Sequence, residues 1–469
     1  MRSLYWNLPS LKSWKPWALA LLAFAALCFL YFFGLTRTGL LGPDEPRYAA
    51  IGRAMAETGD WITPRLWGQP WFEKPALLYW MTALGFKAGL GLDLAPRLPV
   101  AISSVVFLAY FFAALRREFG DAAACYSTAI LATSAGWLAF SHVAVTDLPM
   151  SAAFAASMLL LLSGQPSTGR LLWSGVLLGL AVLAKGLVPL ALFIPALWFL
   201  GRRVRDIGLL MSAAAVVAAP WYILVTLRNG APFLDEFFWK HHFARFVTGA
   251  LEHEQPFWFY APVLIAGLFP WSPLLLLLFA KQLYNDRRAV FLAAWFAWGF
   301  VFFSASRNKL PGYLLPLLPA IAALLGLALA KARRRSAGMI ALLAACAGLL
   351  WLIPLVQGLL PRALLAGISH AGPIGLPTAW ILPALAAASA CALLEGAGRR
   401  AAAIALLTLL MVLSAVRLAW QAYPQLDRTV SARGLWHSRG DSITCVPPGQ
   451  RSLRYGLDYY AGSELPDCN

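Results

Sequence analysis

Long apolar stretches, separated by short polar or basic segments, dominate the chain. A helix of about 20 apolar residues is long enough to cross the hydrocarbon core of a bilayer. After a first run at 17–34, the apolar stretches lie near residues 76–92, 98–115, 122–141, 148–163, 171–184, 187–200, 207–227, 257–279, 289–303, 312–330, 337–356, 376–394 and 401–420. The pattern predicts an all-α polytopic membrane protein with about 13 transmembrane helices.

The stretch 76–92 decides the topology. It contains Lys87, lies between Pro75 and Pro96, and is short for a lipid-exposed span. If this stretch lies in the interface, the basic N-terminus and the basic segments 116–117, 202–205, 281–288, 331–335 and 399–400 all fall inside. We therefore predict a cytoplasmic N-terminus, interfacial helices in a first extracytoplasmic loop at 36–97, and an extracytoplasmic C-terminus.

Two further segments have a predicted place in this topology. The short stretches 171–184 and 187–200 are expected to form a buried hairpin whose outer tip carries Lys185. A transmembrane domain at 1–420 is followed by a small polar region at 421–469. This region contains Cys445 and Cys468, which can form a disulfide if the region lies outside, whereas the other cysteines lie in apolar runs.

Composition supports the membrane assignment. Hydrophobic residues make up 60% of the 469 residues and charged residues only 13%, roughly half the charged fraction of a soluble chain. The net charge of +17 by itself also fits a nucleic-acid partner. Because the basic residues lie mostly between apolar runs, topology and anionic lipids explain them better. We expect contacts with membrane lipids, no nucleic-acid partner, and a monomer.

Polar groups with catalytic potential collect on the predicted outer side. A carboxylate at the membrane boundary can act as a general base on an acceptor hydroxyl, while Lys and Arg can bind a phosphate and stabilise its developing charge. Such groups suit a reaction on a sugar linked to a lipid phosphate. The outward candidates are Asp44, Glu45, Arg47, Tyr48, Glu73, Lys74, His142, Asp147, Lys185, His253, Arg307, Lys309 and Tyr313.

Several motifs, in this order along residues 17–330, resemble the bacterial aminoarabinose transferases. These enzymes belong with the protein O-mannosyltransferases among glycosyltransferases of the GT-C fold. The motifs are Pro43-Asp44-Glu45-Pro46-Arg47-Tyr48, Trp71-Phe72-Glu73-Lys74-Pro75, Thr146-Asp147, Lys185-Gly186, His253-Glu254-Gln255-Pro256-Phe257-Trp258-Phe259-Tyr260 and Lys309-Leu310-Pro311-Gly312-Tyr313.

The resemblance implies a polyprenyl phosphate-sugar donor, an extracytoplasmic active site and inversion at the anomeric carbon. It implies that Asp44 is the base or the acceptor-orienting acid and that Asp147 is the second-loop acid. We also count Glu45 among the catalytic candidates, although the adjacent side chains of Asp44 and Glu45 diverge and are not expected to share a role.

The remaining candidates come partly from the same resemblance, which covers Lys74, Arg47, Lys309 and the zinc pair, and partly from the residues themselves. Lys74 matches the phosphate-binding lysine of the family. Further residues are candidates for binding the donor phosphate or for lining a substrate pocket. A zinc ion held by Glu73 and His253 is a tentative implication, since the two residues supply at most two ligands. The further phosphate candidates are Arg47, Lys309, Arg307 and Lys185, and the pocket candidates are Tyr48, Tyr313 and His142.

Each assignment has a simpler alternative. Asp44 and Glu45 can belong to an ordinary wet loop, Asp147 can cap the helix that begins at residue 148, and Lys74 can reach from the membrane to the interface. An unpaired acid between apolar stretches is costly, which favours function for Asp147. No cofactor is required by these residues.

The sequence predicts an inverting glycosyltransferase of the bacterial inner membrane. It would move a single sugar from an undecaprenyl phosphate carrier to lipid A, to another envelope glycan or to a protein. The alternatives are a transporter or flippase of lipid-linked sugars and a non-catalytic assembly factor. Two related halves with paired broken helices would favour transport, and the sequence contains no such symmetry.

Overall fold

The computed structural model describes residues 25–201, 203–244, 254–366, 375 and 377–468, which are mostly helical. Residues 25–32 are helical and form the described part of the first predicted span. The first half of the chain then contains the α-helices Asp44–Thr58, Leu77–Lys87, Gly91–Phe119, Asp121–Thr133, Ala135–Phe140, Asp147–Leu160, Thr168–Lys185, Val188–Leu192, Ile194–Leu200, Val204–Asn229 and Ala231–Leu234.

Shorter helical elements are more frequent in the second half. A π-helix at Asp235–Ala244 precedes the second set of α-helices, Tyr260–Gly267, Arg287–Ala305, Leu318–Lys331, Ala337–Gly348, Ile353–Ala366, Ile381–Gly396, Arg400–Gln421, Tyr423–Thr429, Ala432–Arg439 and Arg451–Ala461. The 3₁₀ helices are Phe257–Phe259, Ser272–Phe279, Lys281–Asn285, Pro311–Leu317, Leu349–Leu352, Thr378–Trp380 and Gly440–Ser442. A small antiparallel hairpin pairs Arg65–Leu66 with Gln69–Pro70.

Within the described residues, eight helices are long and apolar enough to cross a membrane. They are Gly91–Phe119, Thr168–Lys185, Val204–Asn229, Arg287–Ala305, Pro311–Lys331, Ala337–Leu365, Thr378–Gly396 and Arg400–Thr429. A ninth is possible if Phe257–Gly267 and Ser272–Phe279, bent by 112°, form one broken span. The all-α polytopic fold is confirmed. The predicted count of 13 transmembrane helices is not confirmed, because several predicted spans are broken. One example is the stretch 122–141, which is broken at Ser134.

The helix Leu77–Lys87, here called the interfacial helix, has 11 residues. At 1.5 Å per residue it is about 16 Å long, far short of the roughly 30 Å of hydrocarbon that a span must cross. It packs against the first-loop helix, Asp44–Thr58, at Gly52, where an added Cβ would lie 2.5 Å from Thr82 Cγ2. Its length and packing fit the interfacial placement predicted for the stretch 76–92.

The helix Thr168–Lys185 is longer than the short hairpin arm predicted at 171–184. It has 18 residues, starts at the Ser167 cap and ends where Gly186 adopts a φ of 76°. The second predicted arm is broken into the helices Val188–Leu192 and Ile194–Leu200. Lys185 therefore lies in the last turn of a helix that is long enough to span.

A buried ion pair between Glu45 and Arg97 joins the first loop to the helix Gly91–Phe119. Arg97 donates to both Glu45 oxygens, at 2.6 and 2.7 Å. It also donates to the carbonyls of Leu35, Thr38 and Gly39, at 2.8, 2.5 and 2.9 Å. These contacts use all five N–H donors of a guanidinium. They hold the turn before the first-loop helix in one conformation.

Residues 421–468, the C-terminal region, pack against the same first loop. Asp427 accepts from the Gly39 amide at 2.7 Å, and Arg433 bridges Asp427 and Asp93. The Tyr460 hydroxyl donates to Asp93 at 2.7 Å. A disulfide joins Cys445 to Cys468. A segment too short for a sizeable core of its own is therefore held by polar contacts with the transmembrane part.

We predict that Arg97→Met strongly destabilises the protein. Breaking a buried ion pair while one charge remains costs about 3–5 kcal/mol, and both side chains are at most 2% exposed. The melting temperature in detergent should fall, and Glu45→Gln combined with Arg97→Met should recover part of the loss. Arg116→Met, which removes an exposed pair with Asp121, should melt like wild type. Equal melting of both single variants would contradict the assignment.

Candidate active site

A first cluster of charges lies at the start of the first-loop helix and in the segment that follows the hairpin. Arg47 is almost fully buried and forms ion pairs with Asp44, one turn before it, and with Glu73 at 3.1 Å. Lys74 pairs with the other oxygen of Glu73 at 3.0 Å. Two stretches separated by more than 20 residues thus bring two cations and two carboxylates together.

Aromatic rings surround the Arg47 guanidinium. The rings of Tyr48, Trp71 and Tyr455 lie 5.5, 5.4 and 5.2 Å from it, within cation–π range. Burial by itself lowers the pKa of Arg47, but the nearby charges, foremost that of Glu73, outweigh burial and raise the pKa. The guanidinium therefore keeps its positive charge in a largely desolvated position.

Three buried donors near Arg47 have no hydrogen-bond partner among the described residues. They are Arg47 Nε, Trp71 Nε1 and Tyr79 Oη. The Tyr79 ring packs edge-on against that of Tyr48, 6.0 Å away. Buried polar groups are normally hydrogen-bonded. This group of donors is accordingly suited to an anion with several acceptor oxygens.

A second cluster lies where the helices Asp147–Leu160 and Thr168–Lys185 meet. Lys185 Nζ donates to Asp147 Oδ1 at 2.5 Å and lies 4.6 Å from the Tyr313 ring centroid. Gly312 permits this arrangement, because an added Cβ there would lie 2.7 Å from Asp147 Oδ1 and 2.9 Å from Phe140. Residues from three separate helical elements therefore meet at one ion pair.

Two contacts connect the first cluster to the second. Glu45 accepts a hydrogen bond at 2.9 Å from the amide of Ala144, three residues before Asp147. Phe72 and Ala76, on either side of Glu73-Lys74, belong to one apolar cluster with Val182 and Leu183. These two contacts link the segments that carry the two clusters.

The carboxylates of the two clusters differ in exposure. The side chain of Asp44 is 45% exposed, those of Glu73 and Asp147 are 12% and 17% exposed, and that of Glu45 is fully buried. Glu45 is occupied by Arg97 and by two backbone amides. This geometry suits a positioning role for Glu45 rather than the predicted catalytic one. Asp44 is the acid best placed to meet a substrate.

The other predicted phosphate ligands lie in the loop before Pro311. Lys309 is buried, and burial lowers its pKa. Its ammonium group donates to the Gln255 carbonyl at 2.9 Å and to the Ser306 carbonyl. Arg307 is exposed. Lys309 therefore joins the segment that begins at Glu254 to this loop, and no contact of the described residues places it in either cluster.

Two predicted pocket residues have structural partners. Tyr48 is buried against Tyr79 and Arg47. The His142 ring is stacked with Tyr31, and its Nδ1–H donates to the Leu138 carbonyl at 3.0 Å. Burial lowers the pKa of His142, which favours the neutral imidazole. Tyr48 thus lies at the first cluster, and Tyr313, beside Lys185, lies at the second.

The structure does not support a metal site at the described residues. No group of three or more His, Cys, Asp or Glu converges within the part of the chain that is described. Both Glu73 oxygens already face cations, Arg47 and Lys74. His253, the other implied zinc ligand, lies outside the described residues. A zinc ion at Glu73 and His253 therefore stays a prediction.

Arg97 and Tyr455 are contributors to the site that sequence reasoning missed. Arg97 begins an apolar span, where a cation is costly unless it is paired. Its position in the sequence could therefore have indicated that Arg97 has a buried partner. No such signal exists for Tyr455, because it lies more than 400 residues from Arg47 in a polar region. The C-terminal region is thus part of the wall around Arg47.

Comparison with known proteins identifies related transferases. The profile of the dolichyl-phosphate-mannose-protein mannosyltransferase family matches residues 73–227. An undecaprenyl phosphate-alpha-4-amino-4-deoxy-L-arabinose arabinosyl transferase of Pseudomonas aeruginosa (strain UCBPP-PA14) is 36% identical over 344 residues, 68% of this chain and 60% of the relative. A transferase 2 of the same kind from Pseudomonas fluorescens (strain Pf0-1) is 34% identical over 75% of this chain and 67% of the relative. The chain therefore spans about 60% of the length of several such relatives.

Solved structures give the same relationship. The crystal structure of ArnT from Cupriavidus metallidurans bound to undecaprenyl phosphate has a TM-score of 0.75 and 27% identity, covering 96% of this chain and 86% of that one. The oligosaccharyltransferase AglB of Archaeoglobus fulgidus shares the fold alone. Its TM-score is 0.52 at 14% identity, and the match covers 97% of this chain and 64% of the AglB chain. From these matches, the chain belongs to the undecaprenyl phosphate-aminoarabinose arabinosyl transferase family, within the GT-C superfamily that includes the protein mannosyltransferases.

Proposed function

We propose that this protein is an inverting glycosyltransferase that moves one sugar from undecaprenyl phosphate to an acceptor. The observation that carries the proposal is the pair of connected clusters, in which Arg47, Lys74 and Lys185 are each held by a carboxylate. A protein of the same fold was solved with undecaprenyl phosphate bound, which supports this class of donor. The names of the relatives favour 4-amino-4-deoxy-L-arabinose as the sugar.

The donor phosphate would lie against Arg47 and Lys74, with Lys185 as a further cation. The unpartnered N–H and O–H groups of Arg47, Trp71 and Tyr79 would complete its hydrogen bonds. As the bond between the anomeric carbon and the phosphate oxygen breaks, its electron pair passes to the phosphate. The cations stabilise that charge strongly because they lie in a desolvated region. Lys309 and Arg307 are weaker candidates for this role.

Asp44 would act on the acceptor. When the donor phosphate binds Arg47, it competes with the Asp44 carboxylate for the same guanidinium and leaves this exposed carboxylate available as a base. The acceptor oxygen attacks the anomeric carbon from the side opposite the phosphate, and Asp44 takes the acceptor proton if the group is a hydroxyl. Attack from that side inverts the anomeric configuration. Asp147 would hold Lys185, and Glu45 would position Asp44 through the first-loop helix.

The site would face the extracytoplasmic side of the bacterial inner membrane. The Cys445–Cys468 disulfide supports this orientation, because disulfides persist in oxidising compartments. The region that contains it packs on the first loop, so both lie on one side. The acceptor would be lipid A, another envelope glycan or a protein, and lipid A is the one we test first.

We predict that Asp44→Asn lowers turnover at least about 100-fold, the lower bound for loss of a general base. Release of undecaprenyl phosphate from undecaprenyl phosphate-aminoarabinose, with lipid A as acceptor, measures the effect. Asp121→Asn, at an exposed aspartate that begins another helix, is the matched carboxylate-to-amide control for expression and folding. Asp44→Asn should melt like wild type, and near-normal turnover by this variant would refute the assigned base.

We predict that Gly312→Ala lowers turnover while the protein still folds, because the added methyl displaces Asp147 from Lys185. Gly338→Ala is the matched control, since an added Cβ there meets no atom within 4 Å. The same release assay compares the two. Equal turnover would mean that the Asp147–Lys185 geometry does not matter for transfer.

We predict that Tyr455→Leu weakens the hold on the donor by removing the ring next to Arg47, whereas Tyr455→Phe retains it. A cation–π contact of about 1–2 kcal/mol corresponds to roughly a 5- to 30-fold rise in the KM for the donor. Steady-state kinetics at varied donor concentration test this. A normal donor KM for Tyr455→Leu would contradict it.

A further inference from the structure

We propose that a cavity between the first-loop helix and the C-terminal region binds the carbohydrate part of the acceptor. The inference rests on the proposed function, because an acceptor presupposes glycosyl transfer. The cavity has a volume of about 400 Å³, within the size range of small-molecule sites. It is lined by Ala50, Arg53, Ala54, Glu57, Trp67, Gly68, Tyr459, Gly462, Ser463 and Glu464.

The cavity continues the surface that carries the first cluster. Ala54 lies seven residues after Arg47, almost two helical turns, and therefore on the same face of the first-loop helix. Tyr459 lies four residues after Tyr455 on the helix Arg451–Ala461, again on one face. Arg47 and Tyr455 are in contact at one end. The lining begins at Ala50, three residues after Arg47, so the cavity starts about 5 Å along the two helices from the Arg47 site.

The polar lining favours a neutral, hydroxyl-rich ligand over a phosphate. The lining contains two carboxylates, Glu57 and Glu464, and a single guanidinium, Arg53, which pairs with Glu57 at 2.7 Å. This excess of negative charge disfavours the donor phosphate. Sugar hydroxyls can donate to the carboxylates and accept from the guanidinium, and such charge-assisted hydrogen bonds are strong. Ser463 adds a further donor and acceptor.

Trp67 supplies the apolar surface that a sugar ring requires. It lies in the tight turn of the hairpin with a φ of 51°, a left-handed conformation that is costly for a bulky residue. Its buried indole N–H has no partner among the described residues. The ring can pack against the C–H face of a sugar while its N–H donates to a hydroxyl. Strain and an unused donor at the same residue point to a ligand here.

The position of the cavity favours the acceptor over the donor. No residue of the eight candidate membrane spans lines it, and Gly462, Ser463 and Glu464 are exposed. A donor must keep its polyprenyl chain in the membrane, while an acceptor headgroup can approach from water. An acceptor sugar in the cavity would extend toward Asp44 at the start of the same helix.

The test uses Trp67→Asn and Glu57→Gln in the full-length protein. Asn tolerates the left-handed turn while removing the ring, and Glu57→Gln preserves the shape of the side chain. Gln69→Ala, on the same hairpin but outside the cavity lining, is the matched control. The expected result is a rise of about tenfold in the KM for lipid A, with kcat and donor KM near wild type. The deacylated lipid A disaccharide should inhibit wild type and inhibit Trp67→Asn more weakly.

Each outcome separates the cavity from the glycosyltransferase function. An unchanged KM for lipid A in both variants, with normal melting, overturns the acceptor subsite while leaving transfer intact. A rise in donor KM instead overturns the acceptor assignment, as does a rise in KM for a Ser/Thr peptide acceptor alone. A wild-type protein that releases no undecaprenyl phosphate with any of these acceptors counts against the proposed function itself.

Discussion

The buried ion pair between Glu45 and Arg97 is the interaction on which the site geometry depends. Arg97 uses every donor of its guanidinium on Glu45 and on three carbonyls of the turn before the first-loop helix. Glu45 in turn holds the Ala144 amide, close to Asp147. A fully desolvated pair is useful only when every polar atom finds a partner. Here that requirement fixes the first loop and the Asp147 loop relative to one membrane helix.

Charge compensation explains how so many ionised groups remain at the edge of the membrane. Arg47, Lys74 and Lys185 each contact a carboxylate, so none is an isolated charge in a low-dielectric region. The two carboxylates that pair with Arg47 differ in exposure, because Asp44 is far more exposed than Glu73. An incoming phosphate can therefore replace Asp44 at Arg47 more readily than it can replace Glu73. In the proposed function, the same arrangement that stabilises these cations would also let Arg47 accept an anionic donor.

The C-terminal region is part of this arrangement. Its polar contacts with the first loop, through Asp427, Arg433 and Tyr460, hold it over the first-loop helix. As a result Tyr455 reaches Arg47, and a cavity forms farther along the same two helices. A segment with too few apolar residues to fold by itself gains its order from docking. Its contribution to the site follows from that docking and not from any motif of its own.

The sequence by itself determined the membrane class, because long hydrophobic runs are local signals. It also predicted the interfacial placement of 76–92 and, from the cost of charges between apolar runs, the charged candidates. It did not determine the number of spans, since breaks such as Ser134 depend on packing. It also did not distinguish Glu45 from Asp44, which are adjacent in the chain and opposite in exposure. The pairing of Lys185 with Asp147 and of Tyr455 with Arg47 is long-range. Only the tertiary structure decides such contacts, because they depend on how distant helices pack.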